Sequence, residues 1–470
     1  MFIGRKTELQ ALKNAYTHPD FQMLVLYGRR RIGKTTLLNH FASNKKSLYF
    51  TAQESSDTEN LRRFSALLHE YFGAPTTLGT FTSWLSAFEY AAQQAKQLDN
   101  PFLFIFDEFP YAAQANQALP SQLQIAIDHH FTQTNACIIL CGSNEGFMES
   151  EVLDKKSPLY GRRTGQIHLK PFDYFEAAQM SHTSSPQEQV RYYATFGGTP
   201  YYLAQLDTSL TYEENVHRLM FSSSGLLYAE PSMLLRQELR EPALYNAILS
   251  AVANGATTPK TIADQSGVAL TSVGKYLKTL VNLHILARKT PFGTKVEGRK
   301  ALYYITDPFF AFWYRFVSPA VGAIELGAGA AAAREVTTGQ SLSTFEGHQF
   351  ETITTQWLTR RNTQEGLPFL ATEFGSWWGT DPQAKEQVDI DVIAANAQRR
   401  SIIAGECKWR ENFNETETLK TLEHRAQLIP GNWDKRYLYL FSKKPLSSAT
   451  QNKIKNNPAL RSITLKEMYS

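Results

Sequence analysis

Eight residues constrain this chain more than any others: Gly28-Arg29-Arg30-Arg31-Ile32-Gly33-Lys34-Thr35, a GxxxxGK[ST] run between the apolar MLVLY and the helical TLLNHFA. A strand, a glycine-rich turn and a helix in that order make a cradle for phosphate. The two glycines, Gly28 and Gly33, let backbone N–H groups curl around phosphate oxygens, while the Lys34 amine reaches the β and γ oxygens and the Thr35 hydroxyl ligates Mg²⁺. Arg31 and Thr36 are further candidate nucleotide contacts in the loop. A glycine turn beside a surface lysine is the competing reading, and it does not account for the strand and helix flanks.

A phosphate cradle needs a metal partner, and FLFIFDEF supplies one, an apolar strand ending in Asp107 and Glu108. Asp107 would hold Mg²⁺ through its water shell, and Glu108 would orient or deprotonate the attacking water. A further strand, CIILCGSNEG, leads out through Ser143 and Asn144, candidates for the γ-phosphate or the lytic water. Both residue types are also common turn formers.

The alternation of apolar strands with polar helical stretches over the first third indicates βαβ units around a parallel sheet, with functional residues at the strand C-terminal ends. The 470 residues suggest about three domains. The expected division is a core over 1–171, a helical lid over 172–237, a compact helical block over 238–318, a small-residue linker over 319–341 and a terminal α/β domain over 342–470. Three cysteines without a CxxC pair argue against a disulfide framework and fit a reducing, cytoplasmic setting. The MFIGRKTELQ start lacks the apolar stretch of a signal peptide, and no apolar run is long enough to span a membrane. A net charge of +4 excludes a uniformly basic surface, so any nucleic-acid contact must be local.

FIGRKTEL, YGRRRIGKTTLL, DEFPY, GSNEGFM, SPLYGRRTGQIHLKPF and FGGTPYYL, in that order, resemble the archaeal-type P-loop ATPase family, relatives of AAA+ and STAND ATPases. The resemblance covers essentially the whole chain. It implies ATP as the nucleotide, Mg²⁺ as its partner, a five-stranded core with an extra strand between the phosphate-loop strand and the acidic strand, and an adenine contact near Ile3, Gly4 and Arg5. It also implies that Arg162 or Arg163 neutralises charge on the transferring phosphoryl group, in cis or across a subunit interface in a homo-oligomer. Paired surface arginines are the simpler reading of the same two residues.

Three helical patterns followed by the hairpin ILARKTPFGTKVEGRKALYYITD match a winged helix. From Leu270 to Lys300 there are seven basic residues and one acidic. Lys275, Lys278, Lys295, Arg299 and Lys300 are candidate DNA phosphate contacts, and Thr271 and Ser272 sit where a recognition helix could reach base edges. A winged helix equally serves to bind a protein partner. The aromatic run DPFFAFWYRFVSP reads as core packing before base stacking.

In the terminal domain, Asp389 and Asp391 lie two apart on one expected strand, and Glu406 and Lys408 two apart on the next. The pattern resembles the D…ExK core of the restriction-endonuclease-like superfamily, in which carboxylates hold Mg²⁺ and the lysine helps activate water. Asp391, Glu406 and Glu351 are the preferred metal ligands, with Asp389 and Glu346 as alternatives, and Lys408 is the catalytic lysine. The fold class expected is α/β, a P-loop NTPase sheet with a helical lid, a winged helix and a restriction-endonuclease-like domain. The function expected is ATP hydrolysis coupled to DNA binding and Mg²⁺-dependent cleavage. The alternative is a nucleotide-gated switch whose nuclease-like domain is scaffolding.

Overall fold

A computed structural model describes residues 2–470 apart from 76–77, 182, 240 and 295–300. Lys295, Arg299 and Lys300 thus lie outside the described residues. The chain divides into two compact units, Met1–Pro171 and Phe172–Ser470.

The first unit is built on five parallel strands: β1 (Gln22–Tyr27), β2 (Ser47–Thr51), β3 (Leu103–Asp107), β4 (Cys137–Gly142) and β5 (Gly165–His168). Their spatial order is β2-β3-β4-β1-β5, so β4 is inserted between β1 and β3 as the resemblance implies. β3 and β4 are buried at every position because helices cover both faces, which is why these segments read as unbroken apolar runs. Successive residues still feed opposite layers. Met23, Val25, Phe104 and Phe106 join an aromatic layer with Phe64, Trp84 and Phe88. Leu24, Leu26, Ile105 and Cys141 join Leu12, Leu37 and Leu38 on the other side. Burying each such ring contributes roughly 2 kcal/mol relative to exposure. The sheet therefore forms a rigid platform whose C-terminal edge carries the ends of β1, β4 and β3 side by side.

The second unit begins with short helices, among them Pro186–Phe196 and Tyr212–Met220. Three helices follow, Pro242–Ala253, Pro259–Ser266 and Leu270–Asn282, with an antiparallel pair, β6 (Leu286–Lys289) and β7 (Leu302–Ile305). Phe309, Phe310, Phe312, Trp313, Tyr314 and Phe316 are all buried, so this aromatic run packs and does not present rings to a ligand. The segment 319–341 is not an extended connector. It contributes the helix Gly329–Thr338 and most of Ser318–Glu325, as its alanine content favours, and enters the 24-residue helix Gln340–Thr363. Among the described residues no helix is long and apolar enough to cross a membrane.

The terminal sheet is mixed. It comprises β8 (Glu373–Asp381), β9 (Glu386–Asn396), β10 (Ser401–Lys408), β11 (Lys435–Ser442) and β12 (Leu460–Thr464), in the order β12-β11-β10-β9-β8. β8, β9 and β10 pair antiparallel, and β10, β11 and β12 parallel. Helix Gln340–Thr363 packs Phe350 on Trp409 and Trp357 on Phe441, at ring separations of 5.2 and 5.6 Å. Helix Glu415–Leu428 packs Leu422 and Ala426 with Ile390, Ile402 and Ala404. The turn after β6 is tied to this sheet. Phe292 N–H donates to Ser376 O at 2.9 Å, and its ring enters the core formed by Trp377, Ile390 and Trp433.

At the end of β8, buried Asp381 accepts from His424 Nε2 at 2.6 Å and from the N–H groups of Gln383 and Ala384. The His424 hydrogen bond, and after it the backbone donors, hold the Asp381 carboxyl below its ordinary value. The stabilisation is then complete above the unfolded carboxyl's value of about 3.9 and is lost as pH falls through the lower folded value. Asp381→Asn should therefore destabilise the protein at pH 7, with the gap to wild type narrowing below about pH 4. Denaturant titrations in steps of pH measure this, and an unchanging gap would contradict it.

Candidate functional site

The turn after β1 is shaped by its glycines. Gly28 has φ 151°, and a Cβ there would stand 2.4 Å from Leu169 O, while Gly33 has φ 90° and caps the helix Lys34–Ala42. Only a residue without Cβ takes these positions at low cost. Lys34 is buried, and its ammonium donates to Gly28 O at 2.6 Å and Arg29 O at 2.8 Å, which fixes it inside the curve of the turn. Burial lowers the Lys34 pKa, against which the carboxylates of Glu108, Asp107 and Glu145 act.

Two non-adjacent strands meet at a carboxylate. Thr35 Oγ1, at the start of the helix, donates to Asp107 Oδ2 at 3.3 Å. Tyr49 OH, from β2, donates to the same oxygen at 2.9 Å, and Glu108 N–H donates to Oδ1 at 3.0 Å. Asp107 is 3% exposed, so these donors replace most of its water. Glu108 adopts the left-handed conformation, φ 50° and ψ 42°, which costs a non-glycine residue about 1 kcal/mol. Its carboxylate is held by Ser143, whose hydroxyl lies 2.7 and 2.8 Å from the two oxygens and whose N–H donates at 3.3 Å.

The remaining expected residues are placed as follows. Asn144 Oδ1 accepts from Phe147 N–H at 2.9 Å and so caps the next turn. Ile3 and Gly4 lead into buried Arg5, whose guanidinium donates to Lys170 O at 2.7 Å and to Ile32 O in the phosphate turn at 3.1 Å. Arg31 has φ 71°, and Thr36 is exposed beside Thr35. Arg162 is paired with Asp128 at 2.9 Å, while Arg163 donates to Leu153 O and stacks over Tyr160. Both arginines thus have partners away from the phosphate turn.

Sequence reasoning missed Tyr49 and Glu145. Tyr49 lies in an ordinary β2 strand, and only the pairing of β2 with β3 brings it to Asp107. Glu145, 6% exposed, accepts from His168 Nε2 at 2.9 Å, and His168 stacks on Tyr27 at 4.6 Å. The GSNEG motif contained this acid, but only the fold brings it near Lys34.

These features match a known domain. Residues 2–206 match the family described as an ATPase domain predominantly from Archaea. Over those residues the chain is similar to ATPase domains of this predominantly archaeal kind. Residues 313–420 match a second family, described as archaea bacterial proteins of unknown function. An uncharacterized protein of Methanocaldococcus jannaschii, MJECL04, is 29% identical over 446 residues, covering 94% of this chain and 96% of its own. An uncharacterized ATP-binding protein of the same organism, MJ0423, is 46% identical over 46 residues, covering 10% of this chain and 78% of its own. Among solved structures, the Walker-type ATPase PABY2304 of Pyrococcus abyssi shares the fold with a TM-score of 0.52 and 21% identity, over 67% of this chain and 96% of that one.

Beyond the ATPase domain, Asp391 on β9 accepts from Cys407 N–H at 2.7 Å. Burial pushes its carboxyl well up, and the charges of Glu406 and Glu351 push the same way. Lys408 pairs with Glu406. Asp391, Glu406, Lys408 and Glu351 are thus brought into one neighbourhood, whereas Asp389 is 67% exposed and paired with Arg425 at 3.1 Å. Glu346 is buried and bound by Arg191 Nε at 2.8 Å and Trp409 Nε1 at 2.9 Å, a structural anchor immediately after Lys408. Lys289 of β6, not singled out by sequence, lies 5.0 Å over the Tyr304 ring. Desolvation lowers its pKa, with Glu351 acting in the opposite sense.

On helix Leu270–Asn282, Val273, Leu277 and Leu280 are buried, while Thr271, Ser272, Lys275 and Lys278 are exposed on the other side. For the ATPase domain, Gly28→Ala should force the turn away from Leu169 and weaken ATP binding more than about tenfold with the protein still folded. Calorimetry with ATP measures this, and wild-type affinity would contradict it.

Proposed function

We propose that the chain is a Mg²⁺-dependent ATPase whose ATP cycle is coupled to DNA binding and cleavage by its second unit. The observation that carries the first half is the Thr35–Asp107 contact, which joins the phosphate turn to an acid two strands away. A hydroxyl and a carboxylate in contact, both presenting oxygen, suit a hard divalent cation. Thr35 and Asp107 would hold it. Bound there, magnesium would neutralise phosphate charge during transfer.

The chain's own groups supply the rest. Lys34 donates to phosphate oxygens, and backbone N–H groups of the turn bind them without reorganising. Glu108 accepts the proton of the attacking water, with Ser143 setting the carboxylate's direction. Arg162 or Arg163 engages the transferring group after leaving its present partner, in this chain or toward a second copy. The nucleotide-gated switch is a second reading, favoured by the pairing of Arg162 with Asp128, which occupies that arginine. Lys34→Ala should abolish ATP turnover, measured as phosphate release from the purified full chain; turnover at the wild-type rate would sink the proposal.

For the second unit, the support is chemical. Three helices and a two-stranded hairpin suit a winged helix, with Lys275 and Lys278 meeting phosphates and Thr271 and Ser272 facing bases. The phosphate contacts expected from the sequence at Lys295, Arg299 and Lys300 belong to the same proposal. One long helix, three antiparallel strands, a helix and a parallel strand, carrying Asp391, Glu406, Lys408 and Glu351, suit a restriction-endonuclease-like domain. Asp391, Glu406 and Glu351 would hold a divalent cation, and Lys408 would assist deprotonation of the attacking water. Lys408→Ala and Asp391→Ala should each remove Mg²⁺-dependent scission of plasmid DNA. Strand scission that survives both substitutions would move the chemistry elsewhere, and no scission by wild type with or without ATP would favour the switch reading.

A further inference from the structure

Tyr49 belongs to no part of the phosphate motif, yet its hydroxyl makes the shortest side-chain contact to Asp107, 2.9 Å to Oδ2, the oxygen that Thr35 also approaches at 3.3 Å. The other oxygen is held by Glu108 N–H at 3.0 Å. A carboxylate with donors on both oxygens cannot rotate without breaking one of them in a site where Asp107 is 3% exposed. The Tyr49 ring packs against the layer that contains Leu24, Ile105 and Cys141, so the donor stands on a rigid strand and not on a loop. We infer that Tyr49 is a positioning residue for the magnesium site, fixing the Asp107 carboxylate toward Thr35 and the phosphate turn. This rests on reading Thr35 and Asp107 as the metal-holding pair.

Groups that orient a metal-holding residue in this way set metal affinity without touching the nucleotide. Tyr49 therefore controls how much magnesium the ATPase domain needs, and it does so from β2, the edge strand farthest from the phosphate turn in the sheet order.

The test uses the full chain with Tyr49→Phe, which keeps the ring and removes only the hydroxyl. Mg²⁺ is titrated into protein with a fluorescent ATP analogue, and Mn²⁺ binding is followed by electron paramagnetic resonance. The Mg²⁺ midpoint should rise about tenfold, Mn²⁺ binding should weaken in parallel, and nucleotide affinity in EDTA should match wild type. An unchanged midpoint overturns the inference, as does a loss of affinity in EDTA equal to the loss in magnesium. Asp107→Asn, titrated alongside, separates the two levels. If it shifts the midpoint and Tyr49→Phe does not, the positioning role falls alone; if neither shifts it, the metal-holding pair falls too.

Discussion

The contact between the Thr35 hydroxyl and the Asp107 carboxylate governs the amino-terminal unit. Thr35 follows β1 and Asp107 ends β3, and β4 lies between, so the two chain segments start roughly 10 Å apart across the sheet. They meet because the turn after β1 folds over the edge of β4, which its glycines permit. Everything else at this edge serves that meeting. Lys34 is braced by loop carbonyls, Asp107 by Tyr49 and the Glu108 N–H, and Glu108 by Ser143. A nearly buried carboxylate demands such donors, since removal from water without them is costly.

The second unit treats its buried acids in two ways. Glu346 is met by a guanidinium and an indole N–H, which compensates its charge and ties helix Pro186–Phe196 and Trp409 to one point. Asp391 receives one backbone N–H and faces two further carboxylates, so its ionised form is disfavoured by burial and by repulsion. Glu346 is thus balanced by fixed donors, whereas Asp391, with Glu406 and Glu351 beside it, is left with negative charge in excess. That contrast gives the proposed metal chemistry its physical basis. The docking of Phe292 into the terminal core adds that the turn after β6 belongs mechanically to the terminal sheet and not to a free arm.

Much of this was legible in the sequence where the signal was local. The phosphate turn is eight consecutive residues, the acidic pair follows an apolar strand directly, and the parallel sheet announces itself through strands too apolar to have a wet face. Alanine content likewise carries a helical bias, yet 319–341 read as a linker because small, uncharged residues suit both states, and packing selected the helix. Period-two spacing put Asp389 and Asp391 on one face without choosing between them. The resemblance favoured Asp391, and in the fold Arg425 pairs with Asp389. Glu351 was preferred to Glu346 on the resemblance, and in the fold Arg191 and Trp409 hold Glu346 as an anchor.

By itself, then, the sequence determined the phosphate turn, its acidic partner strand and the α/β character at both ends, because each is encoded by residues adjacent along the chain. Tertiary structure decided which acids are anchors and which gather around Asp391, and it enlisted Tyr49, Glu145 and Lys289. Those choices depend on strand order and on partners far apart along the chain, Arg191 and Glu346 or Tyr49 and Asp107, whose meeting is set by the closing of a sheet or a core and by no local spacing.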